Sequence, residues 1–580
     1  MTNSEIAKIL YEMAILYEMN DVQFKPRAYE KAALAIESMG EEVKEVYKKG
    51  GEAALMEIPG VGKGIADHIT HLLEGRHFKE YERLKKKTPV NISELKSVEG
   101  VGPKMIKVLW QKLKIRTIVD LEKAAKAGKI RNLEYFGEKS EQKILKGIEF
   151  LKKSGGRKIL GFITPEVWIL EMAIRNFPEI HKIEIAGSFR RRKETIGDID
   201  ILATSDNPER VMERFIKLPQ IEHVYAKGPT KTNVRLKSGL DADLRVVPDE
   251  SFGAAMNYFT GSKGHNIALR EIAIKNGWKL NEYGLYKGKK MIAGRTEEEL
   301  YEKLGLKYIE PELREDSGEI EVSRQNKLPD LIGHGDLKGD LQTQTEWTDG
   351  ENSIEEMAKA AMEAGLQYIA ITDHTKSLAM TGGADEKKLL KQMEYIDKLN
   401  YKFQNPNSKQ IPKPKFQILK GAEVNIARDG LLDIDDKVLA KLDVVGAAVH
   451  SYFNLPPEEQ TARVIKAMEN PHVDIIFHLT GRIINRREPI ELDIDEIIKA
   501  AKRTGTILEI NAYPDRADIR DEYIRKCVEA GVKMSIDSDA HSVEHFKLLE
   551  FGIAEARRGW ATKNDVINAW PLDKMLWFLK

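Results

Sequence analysis

The chain has 580 residues, of which 42% are apolar and 32% charged, and its 92 basic and 92 acidic residues give a formal net charge of zero. This length predicts three or more domains, and the zero net charge excludes a uniformly basic nucleic-acid binder. No apolar run approaches the ~20 residues of a membrane span, and the single cysteine excludes an internal disulfide. We therefore expect a cytoplasmic protein with no membrane partner.

The charge is unevenly spread along the chain. Residues 1–155 hold 29 Lys and Arg against 23 Asp and Glu, so this part carries +6 and the remainder −6. The basic N-terminal part suits binding to a nucleic-acid phosphate backbone, and the acidic remainder suits the binding of metal ions. Apolar residues recur at helical spacing through residues 1–85, which predicts a helical domain there.

A Pro-Gly-x-Gly turn runs directly into an amphipathic helix in MEIPGVGKGIADHI, residues 56–69. Its glycines and the helix N-terminus can bring backbone N–H groups close to a ligand. The pattern recurs as SVEGVGPKMIKVLW, residues 97–110, and in weaker form at residues 132–145. One such turn is also consistent with a plain helix cap, but two that precede Lys-bearing helices favour DNA. The segments resemble helix-hairpin-helix motifs, which bind DNA phosphates. The resemblance implies a set of DNA-binding residues: Gly60, Gly62, Lys63, Gly100, Gly102 and Lys104.

The segment AGSFRRRKETIGDIDIL, residues 186–202, combines a Gly-Ser turn, a basic helical segment and a strand. Side chains i and i+2 of a strand share a face, so Asp198 and Asp200 project together. Two neighbouring carboxylates mark either a hydrated surface or a hard-cation site. A Gly-Ser turn before a helix suits a phosphate, and Asp243 in the strand-like run LDADLRVVP offers a third carboxylate. Together these features indicate metal-assisted nucleotidyl transfer.

The motifs GSFRR, GDID, DLRVV and YFTGS occur in this order between residues 187 and 262. Through them, residues 1–310 resemble the family X DNA polymerases. The resemblance implies that Asp198 and Asp200 bind both catalytic cations, Mg²⁺ or Mn²⁺, and that Asp243 contacts the one that activates the primer 3′-hydroxyl. It also implies a set of nucleotide-binding residues: Gly187, Ser188, Arg191, Gly197, Tyr258, Phe259, Gly261, Asn266 and Arg270. For the two aromatic residues, core packing is the alternative.

The front domain of that family often carries a lysine that cleaves 5′-deoxyribose phosphate through a Schiff base. The matching position is His68 in this chain, while Tyr29 matches a tyrosine of the same site. Imidazole cannot form the imine that an amine forms. We therefore expect weak lyase activity, or activity carried by another amine such as Lys63, with binding of a 5′-phosphate retained.

Beyond residue 335, short apolar runs alternate with helical stretches, and several runs end in His, Asp or Glu. This alternation is typical of a β/α barrel with ligands at the C-terminal ends of its strands. A single His at a strand end is usually structural, but a whole group of such residues indicates a metal cluster. The group comprises His374, Glu423, His450, His478, Asp539 and His541.

The motifs TDH, GAEV, VHS, HLTGR and DAH resemble the PHP phosphoesterase domain over residues 335–580. The resemblance implies Mn²⁺ or Zn²⁺ bound at several positions. The implied ligands are Glu423, His450 and His478 for one metal, Asp349, His374 and His541 for another, and Asp539 with Glu423 for a third.

The first motif of the PHP family, DLHxH, is altered in this chain. It reads Asp-Leu-Gln-Thr-Gln over residues 340–344, so that Gln342 and Gln344 replace the two histidines. An amide oxygen is a poor ligand for zinc-like metals compared with imidazole. We therefore expect two amide oxygens to leave the third metal position weakened.

These patterns predict a multidomain fold with α-helical N-terminal helix-hairpin-helix domains, an α+β nucleotidyltransferase palm and thumb, and a C-terminal distorted β/α barrel. The expected boundaries are 1–85 for the first helical domain, 86–153 for helical fingers, 154–250 for the palm, 251–312 for the thumb, 313–333 for a polar linker and 334–580 for the PHP domain. A hinge is expected at the Ser-Gly-Gly of residues 154–156.

The sequence thus predicts a monomeric DNA repair polymerase that uses dNTPs to fill short gaps in gapped or nicked DNA carrying a 5′-phosphate. The PHP domain would add 3′–5′ exonuclease activity or abasic-site cleavage. One alternative is a nucleotidyltransferase for RNA ends or small molecules. The other is a protein that binds gaps while its PHP domain is only structural, either as a polymerase or as a DNA-binding scaffold.

Overall fold

The structure is a computed structural model that describes residues 1, 3–20, 22–38, 42–75, 79–96, 98, 101–153, 156–378, 381–404 and 416–579. The chain forms two compact units, which we call the N-terminal unit (Met1–Gly156 with Asn485–Arg487) and the C-terminal unit (Arg157–Ile484 with Glu488–Lys580). Of the expected hinge, Ser154 and Gly155 lie outside the described residues. Within the described ranges, no helix is both long and apolar enough to cross a membrane.

The N-terminal unit is helical, as predicted. Its helices are α1 (Asn3–Met19), α2 (Lys25–Ser38), α3 (Val43–Leu55), α4 (Lys63–Leu73), α5 (Lys79–Lys87), α6 (Ile92–Lys96), α7 (Pro103–Leu113), α8 (Ile118–Lys126) and α9 (Glu138–Lys153). Their apolar faces meet in one buried core that includes Leu10, Ile69 and Leu109. Gly62 and Gly102 directly precede α4 and α7, so both predicted turn-to-helix junctions form.

The palm is a small mixed sheet with flanking helices, as expected. Its elements are β1 (Lys158–Ile159), α10 (Leu160–Arg175), β2 (Lys182–Ile185), α11 (Gly187–Arg190), β3 (Thr195–Ile196), β4 (Asp198–Thr204), α12 (Pro208–Phe215), β5 (Ile221–Lys227), β6 (Lys231–Leu236) and β7 (Asp241–Val247). The main sheet has the order β2-β4-β7-β6-β5. Only β4 and β7 pair in parallel, which brings the carboxylate-bearing ends of these two strands together.

The thumb region follows a short 3-10 turn (Asp249–Ser251). It comprises α13 (Phe252–Thr260), α14 (Lys263–Lys275), the antiparallel strands β8 (Lys279–Asn281), β9 (Gly284–Lys287) and β10 (Lys290–Ala293), α15 (Glu297–Lys303), a 3-10 turn (Pro311–Leu313) and α16 (Glu319–Arg324). Residues 313–333 therefore differ from the expected polar linker. They contain α16, and the buried Arg314 forms an ion pair of 2.5 Å with Glu297. Because the buried Arg314 is charged and stabilised by an ion pair, the sequence here shows no apolar periodicity that would predict a packed segment.

The last region is a parallel seven-stranded sheet of β11 (Gly339–Thr343), β12 (Tyr368–Ile371), β13 (Gln417–Asn425), β14 (Val444–Ala448), β15 (Ile475–Ile476), β16 (Ile507–Asn511) and β17 (Met534–Asp537), paired in that order. A parallel bridge between Thr343 and Ala540 connects the two edges, so the sheet nearly closes. The accompanying helices are α17 (Ile354–Glu363), α18 (Glu386–Gln404), α19 (Asp436–Leu439), α20 (Pro457–Met468), α21 (Ile494–Thr504), α22 (Asp521–Ala530), α23 (Leu549–Arg558) and α24 (Leu572–Leu579), with 3-10 turns at Val543–Leu548 and Ile567–Ala569. The predicted distorted β/α barrel is confirmed.

Candidate active sites

The palm gathers the three predicted carboxylates at one edge of its sheet. Asp198 and Asp200 lie on the same face of β4, while Ile199 between them is buried on the other. The parallel register sets Asp200 directly opposite Asp243 on β7. The sheet thus places three carboxylates side by side on two paired strands, and a bound cation would relieve the repulsion between them.

The predicted phosphate turn lies against this triad. Gly187 follows β2 and has φ +64, a left-handed conformation that side chains rarely adopt. A Cβ at this position would lie 2.5 Å from Asp200 Oδ2, so the backbone approaches the carboxylate more closely than any other residue would allow. Ser188 lies in the four-residue helix α11, and Gly197 lies between β3 and β4.

The electrostatics of the triad favour a bound cation. Burial raises the pKa of Asp200 to about 6, and the charges of Asp198 and Asp243 act in the same direction, against Arg245 and Arg191. Asp243 is also contacted by Asn233, which donates a short hydrogen bond, and by Lys231 Nζ at 3.3 Å. Asn233 and Lys231 were missed from the sequence, although both lie on β6, which pairs with β7.

The predicted nucleotide-binding residues of the thumb converge on Tyr258. Asn266 Nδ2 donates to the Tyr258 carbonyl at 2.7 Å, and the Arg270 guanidinium lies 5.6 Å from the Tyr258 ring centre. The Phe259 ring meets the Tyr258 ring edge-on at 5.0 Å. Tyr258 is 36% exposed, so core packing does not account for it.

Arg191 reaches from the palm to the thumb. Its Nη1 donates to the Thr260 carbonyl, and its Nε donates to Glu315 Oε1 at 2.9 Å. The adjacent Gly261 has φ +72, and a Cβ there would lie 3.1 Å from Arg191 Nη1. Arg191 and Gly261, both predicted to contact the nucleotide, are therefore neighbours.

The DNA-binding residues predicted in the N-terminal unit occupy the two turn-to-helix junctions. Gly60 and Gly62 precede α4, and Lys63 is its first residue. Gly102 precedes α7, which contains Lys104, whereas Gly100 lies outside the described residues.

His68, which replaces the Schiff-base lysine, lies in a cluster of polar side chains of the N-terminal unit. Its Nδ1 is 2.6 Å from the Tyr29 hydroxyl, and its Nε2 is 3.8 Å from Glu80 Oε2. Burial lowers the pKa of His68. The amine of Lys25 also reaches this cluster, with its Nζ 3.5 Å from Glu80 Oε1.

In the barrel, the predicted metal ligands lie at or near the C-terminal ends of the strands. The structure brings together two groups of possible ligands, Asp349 with His374 and His541, and His374 with Glu423 and His450. His374 is shared: its Nε2 lies 3.7 Å from Asp349 and its Nδ1 lies 3.5 Å from Glu423. His478 belongs to neither group, but its Nε2 lies 2.9 Å from Glu423 Oε1.

The donor atoms of these groups fit metal ions. His374 Nδ1 and His450 Nε2 are buried without a hydrogen-bond partner among the described residues, although both are close to Glu423. Burial lowers the pKa of His541, but Asp349 and Asp539 outweigh this effect and raise it to about 9. The carboxylates of this site thus stabilise a positive charge at His541, and His374 Nδ1 and His450 Nε2 accept or donate no hydrogen bond among the described residues. Both properties suit the binding of divalent cations.

The third metal position differs from the expectation. Gln342 and Gln344 direct their amide nitrogens, not their oxygens, at Glu423 Oε2, with distances of 3.0 and 2.8 Å. Arg516 Nε lies 3.2 Å from Asp539 Oδ2. The carboxylates of Glu423 and Asp539 thus already have N–H partners on these sides. In this orientation the two amides present N–H groups rather than oxygen ligands to Glu423, which disfavours a tightly bound third metal.

Known families match four segments of the chain. Residues 1–78 match a helix-hairpin-helix domain, 92–149 a SAM-like helix-hairpin-helix tandem, 255–315 the DNA polymerase beta thumb and 340–541 the PHP domain. The DNA polymerase/3′-5′ exonuclease PolX of Bacillus subtilis (strain 168) is 37% identical over 585 residues, which covers 100% of both chains. A probable phosphatase of Thermoanaerobacter sp. (strain X514) is 31% identical over 37% of this chain and 84% of its own length. A probable phosphatase of Acetivibrio thermocellus is 34% identical over 33% and 73%, respectively.

A carboxylate triad beside a phosphate turn, followed by a thumb and a metal-ligating barrel, defines a two-centre enzyme of phosphate chemistry. With full-length similarity added, the chain belongs to the PolX family, the family X DNA polymerases that carry a PHP domain.

Proposed function

We propose that this chain is a DNA-directed DNA polymerase that fills short gaps during DNA repair. The observation that carries the proposal is the meeting of Asp198, Asp200 and Asp243 beside the Gly187 turn. In this proposal the carboxylates orient cations on the incoming triphosphate, and the turn, Ser188 and Arg191 bind its phosphates.

Divalent cations at the two centres, when bound, supply electrophilic stabilisation of phosphate oxygens. We assign Mg²⁺ or Mn²⁺ to the palm, where the ligands are all carboxylates, because hard cations prefer oxygen. We assign Mn²⁺ or Zn²⁺ to the barrel, where imidazole and carboxylate ligands mix.

We further propose that the substrate is gapped or nicked DNA with a 5′-phosphate. Support comes from the two turn-to-helix junctions of the N-terminal unit, whose Gly62 and Gly102 lie directly before Lys63 and the Lys104-bearing helix. We propose that the protein acts as a monomer in the cytoplasm, where a single buried Cys527 is compatible with reducing conditions.

For the barrel we propose 3′–5′ exonuclease or 3′-end phosphoesterase activity, because the similar proteins include a DNA polymerase/3′-5′ exonuclease and a probable phosphatase. Asp349, His374, His541, Glu423 and His450 would hold the cations. His478, hydrogen-bonded to Glu423 at 2.9 Å, would fix the orientation of that carboxylate.

Nucleotide choice tests this function against the alternative nucleotidyltransferase. Purified protein is given a primer across a short gap, with dNTPs or rNTPs and DNA or RNA primer ends, in Mg²⁺ and in Mn²⁺. We expect templated extension of the DNA primer with dNTPs and weaker use of rNTPs. Preferential addition of ribonucleotides to RNA ends would reject the proposal.

The pKa of Asp200 predicts how the polymerase depends on pH. Because this pKa is raised to about 6, the carboxylate loses its charge as the pH falls through that value, and protons then compete with cations. The Mg²⁺ concentration needed for half-maximal extension should therefore rise as the pH falls, by up to about tenfold per pH unit below the pKa. Mg²⁺ titrations at several pH values measure this, and a pH-independent Mg²⁺ requirement would contradict it.

Because His68 stands where an amine would be needed, we expect borohydride to trap little covalent adduct between the protein and a 5′-deoxyribose phosphate. Imidazole forms no imine that borohydride could reduce. His68→Ala should leave the trapped fraction unchanged. His68→Lys, which places an amine beside the Tyr29 hydroxyl, should raise it. Abundant trapping in the unsubstituted protein would show that another amine, such as Lys25 or Lys63, serves as the nucleophile.

A further inference from the structure

Two arginines of the barrel contact the palm loop that connects α11 to β4, which is the loop between the phosphate turn and the carboxylates. Arg482 Nη2 donates to Glu194 Oε2 at 2.6 Å. Arg558 Nη1 donates to the carbonyl oxygen of Arg191 at 3.1 Å. Both arginines are almost fully buried, so the barrel fixes this loop rather than merely touching it.

Glu315, at the end of the thumb, lies at the centre of this junction. Its Oε1 accepts hydrogen bonds from Arg191 Nε at 2.9 Å and from Arg558 Nη1 at 3.2 Å, and lies 3.9 Å from Lys193 Nζ. Burial raises the pKa of Glu315, but the three cations lower it below its usual value. One carboxylate thus joins the palm, the thumb and the barrel.

The contacts of Arg191 leave one of its amino groups for a ligand. Nε is bound to Glu315 and Nη1 to the Thr260 carbonyl, and no described residue accepts a hydrogen bond from Nη2. A guanidinium held at two donors keeps less rotational freedom, so it binds a phosphate with a smaller loss of entropy.

We propose that Glu315 and Arg558 are positioning residues for the polymerase: the barrel, through Arg558, fixes Glu315, and Glu315 fixes Arg191 for the triphosphate. This proposal rests on the proposed role of Arg191 in nucleotide binding. It gives the barrel a part in polymerisation that is independent of its own metal centre.

In an alternative interpretation, Glu315 competes with the triphosphate for binding to Arg191. The charges argue against it, because Arg558 and Lys193 also face Glu315 and offset its negative charge. Arg558 is in turn anchored by Asp521, so its position does not depend on the nucleotide.

Single-nucleotide extension by the full-length protein tests the proposal through the KM for dNTP and kcat. Glu315→Gln and Arg558→Met should each raise the KM by about fivefold to tenfold, as expected for loss of a coupled contact, with kcat changed little. Arg558→Lys should recover part of the effect. Because the buried Arg558 is also structural, Glu315→Gln, whose side chain is 26% exposed, provides the variant that keeps the fold.

The neighbouring Arg557 is the matched control. It lies on the same helix and pairs with Glu312 at 2.8 Å. Among the described residues it forms no hydrogen bond or ion pair with Arg191 or Glu315. Arg557→Met should leave the KM for dNTP unchanged, even if thermal unfolding shows a similar loss of stability.

A double-substitution cycle separates the positioning role of Glu315 from the proposed triphosphate contact of Arg191. Arg191→Met should raise the KM, and adding Glu315→Gln to it should have no further effect. An unchanged or lower KM for Glu315→Gln, or an additive effect on Arg191→Met, would overturn the positioning role. A normal KM for Arg191→Met would refute both this role and the proposed triphosphate contact, whereas absence of extension by the unsubstituted protein would refute the proposed function itself.

Discussion

Asp200→Asn is expected to lower primer extension by at least about 10³-fold, since a catalytic cation contributes several kcal/mol and each ~1.4 kcal/mol is a factor of ten. Asp200 is the member of the triad that lies against the phosphate turn and directly opposite Asp243. The amide keeps the shape of the side chain but removes its charge. Rapid-quench extension of a labelled primer measures the loss, and fluorescence anisotropy with gapped DNA should show nearly unchanged binding.

Asp241→Asn is the matched control for this experiment. Asp241 lies two residues before Asp243 on the same strand, but its carboxylate is bound by Arg235 at 2.8 and 2.9 Å. Its substitution should leave extension within a few-fold of the unsubstituted rate. Persisting extension by Asp200→Asn would show that the palm carboxylates are not the polymerase centre.

The paired substitution Gln342→His with Gln344→His is expected to raise both the bound metal and the nuclease rate. The unsubstituted barrel should hold two metals tightly and degrade DNA weakly unless Mn²⁺ is added, because its third position presents amide N–H groups to Glu423. Imidazole offers a lone pair where the amide offers a donor. Metal content is measured by elemental analysis, and the nuclease rate by shortening of a labelled primer without dNTPs.

The same prediction extends to Arg516, which pairs with Asp539 at the third metal position. Its guanidinium neutralises Asp539, and although burial raises the pKa of Asp539, Arg516 holds it below its usual value. The histidine pair with Arg516→Met should therefore bind the third metal more tightly than the pair alone. Gln367→His, an exposed glutamine at the entrance of β12, is the control that adds an imidazole outside the centre. Three metals in the unsubstituted protein, or no change in the paired variant, would contradict this account.

Much of the architecture follows from local patterns. Six of the seven barrel strands, β12 to β17, coincide with apolar runs of the sequence, because strands of a parallel sheet are buried on both faces. The exception is β11, whose sequence Gly-Asp-Leu-Gln-Thr has a single large apolar side chain. The three palm aspartates could be predicted because strand periodicity alone sets two of them on one face.

Long-range polar pairing could not be predicted in this way. Lys231 and Asn233 reach Asp243 only because β6 becomes its antiparallel neighbour. The orientation of the Gln342 and Gln344 amides depends on Glu423, about eighty residues away. The charged segment 313–333 has the composition of a linker, because buried charges that are paired give no periodic apolar pattern. Its Arg314 is nevertheless buried and paired with Glu297.

The most direct test of the central claim, that one chain holds two separate reaction centres, follows both reactions on a single labelled primer in gapped DNA with Mn²⁺. The unsubstituted protein should lengthen the primer when dNTPs are present and shorten it when they are absent. Asp200→Asn should only shorten the primer, and His374→Ala, which removes a side chain shared by both barrel metal groups, should only lengthen it. Loss of both reactions through either single substitution, in protein that remains folded, would contradict the assignment of two independent centres.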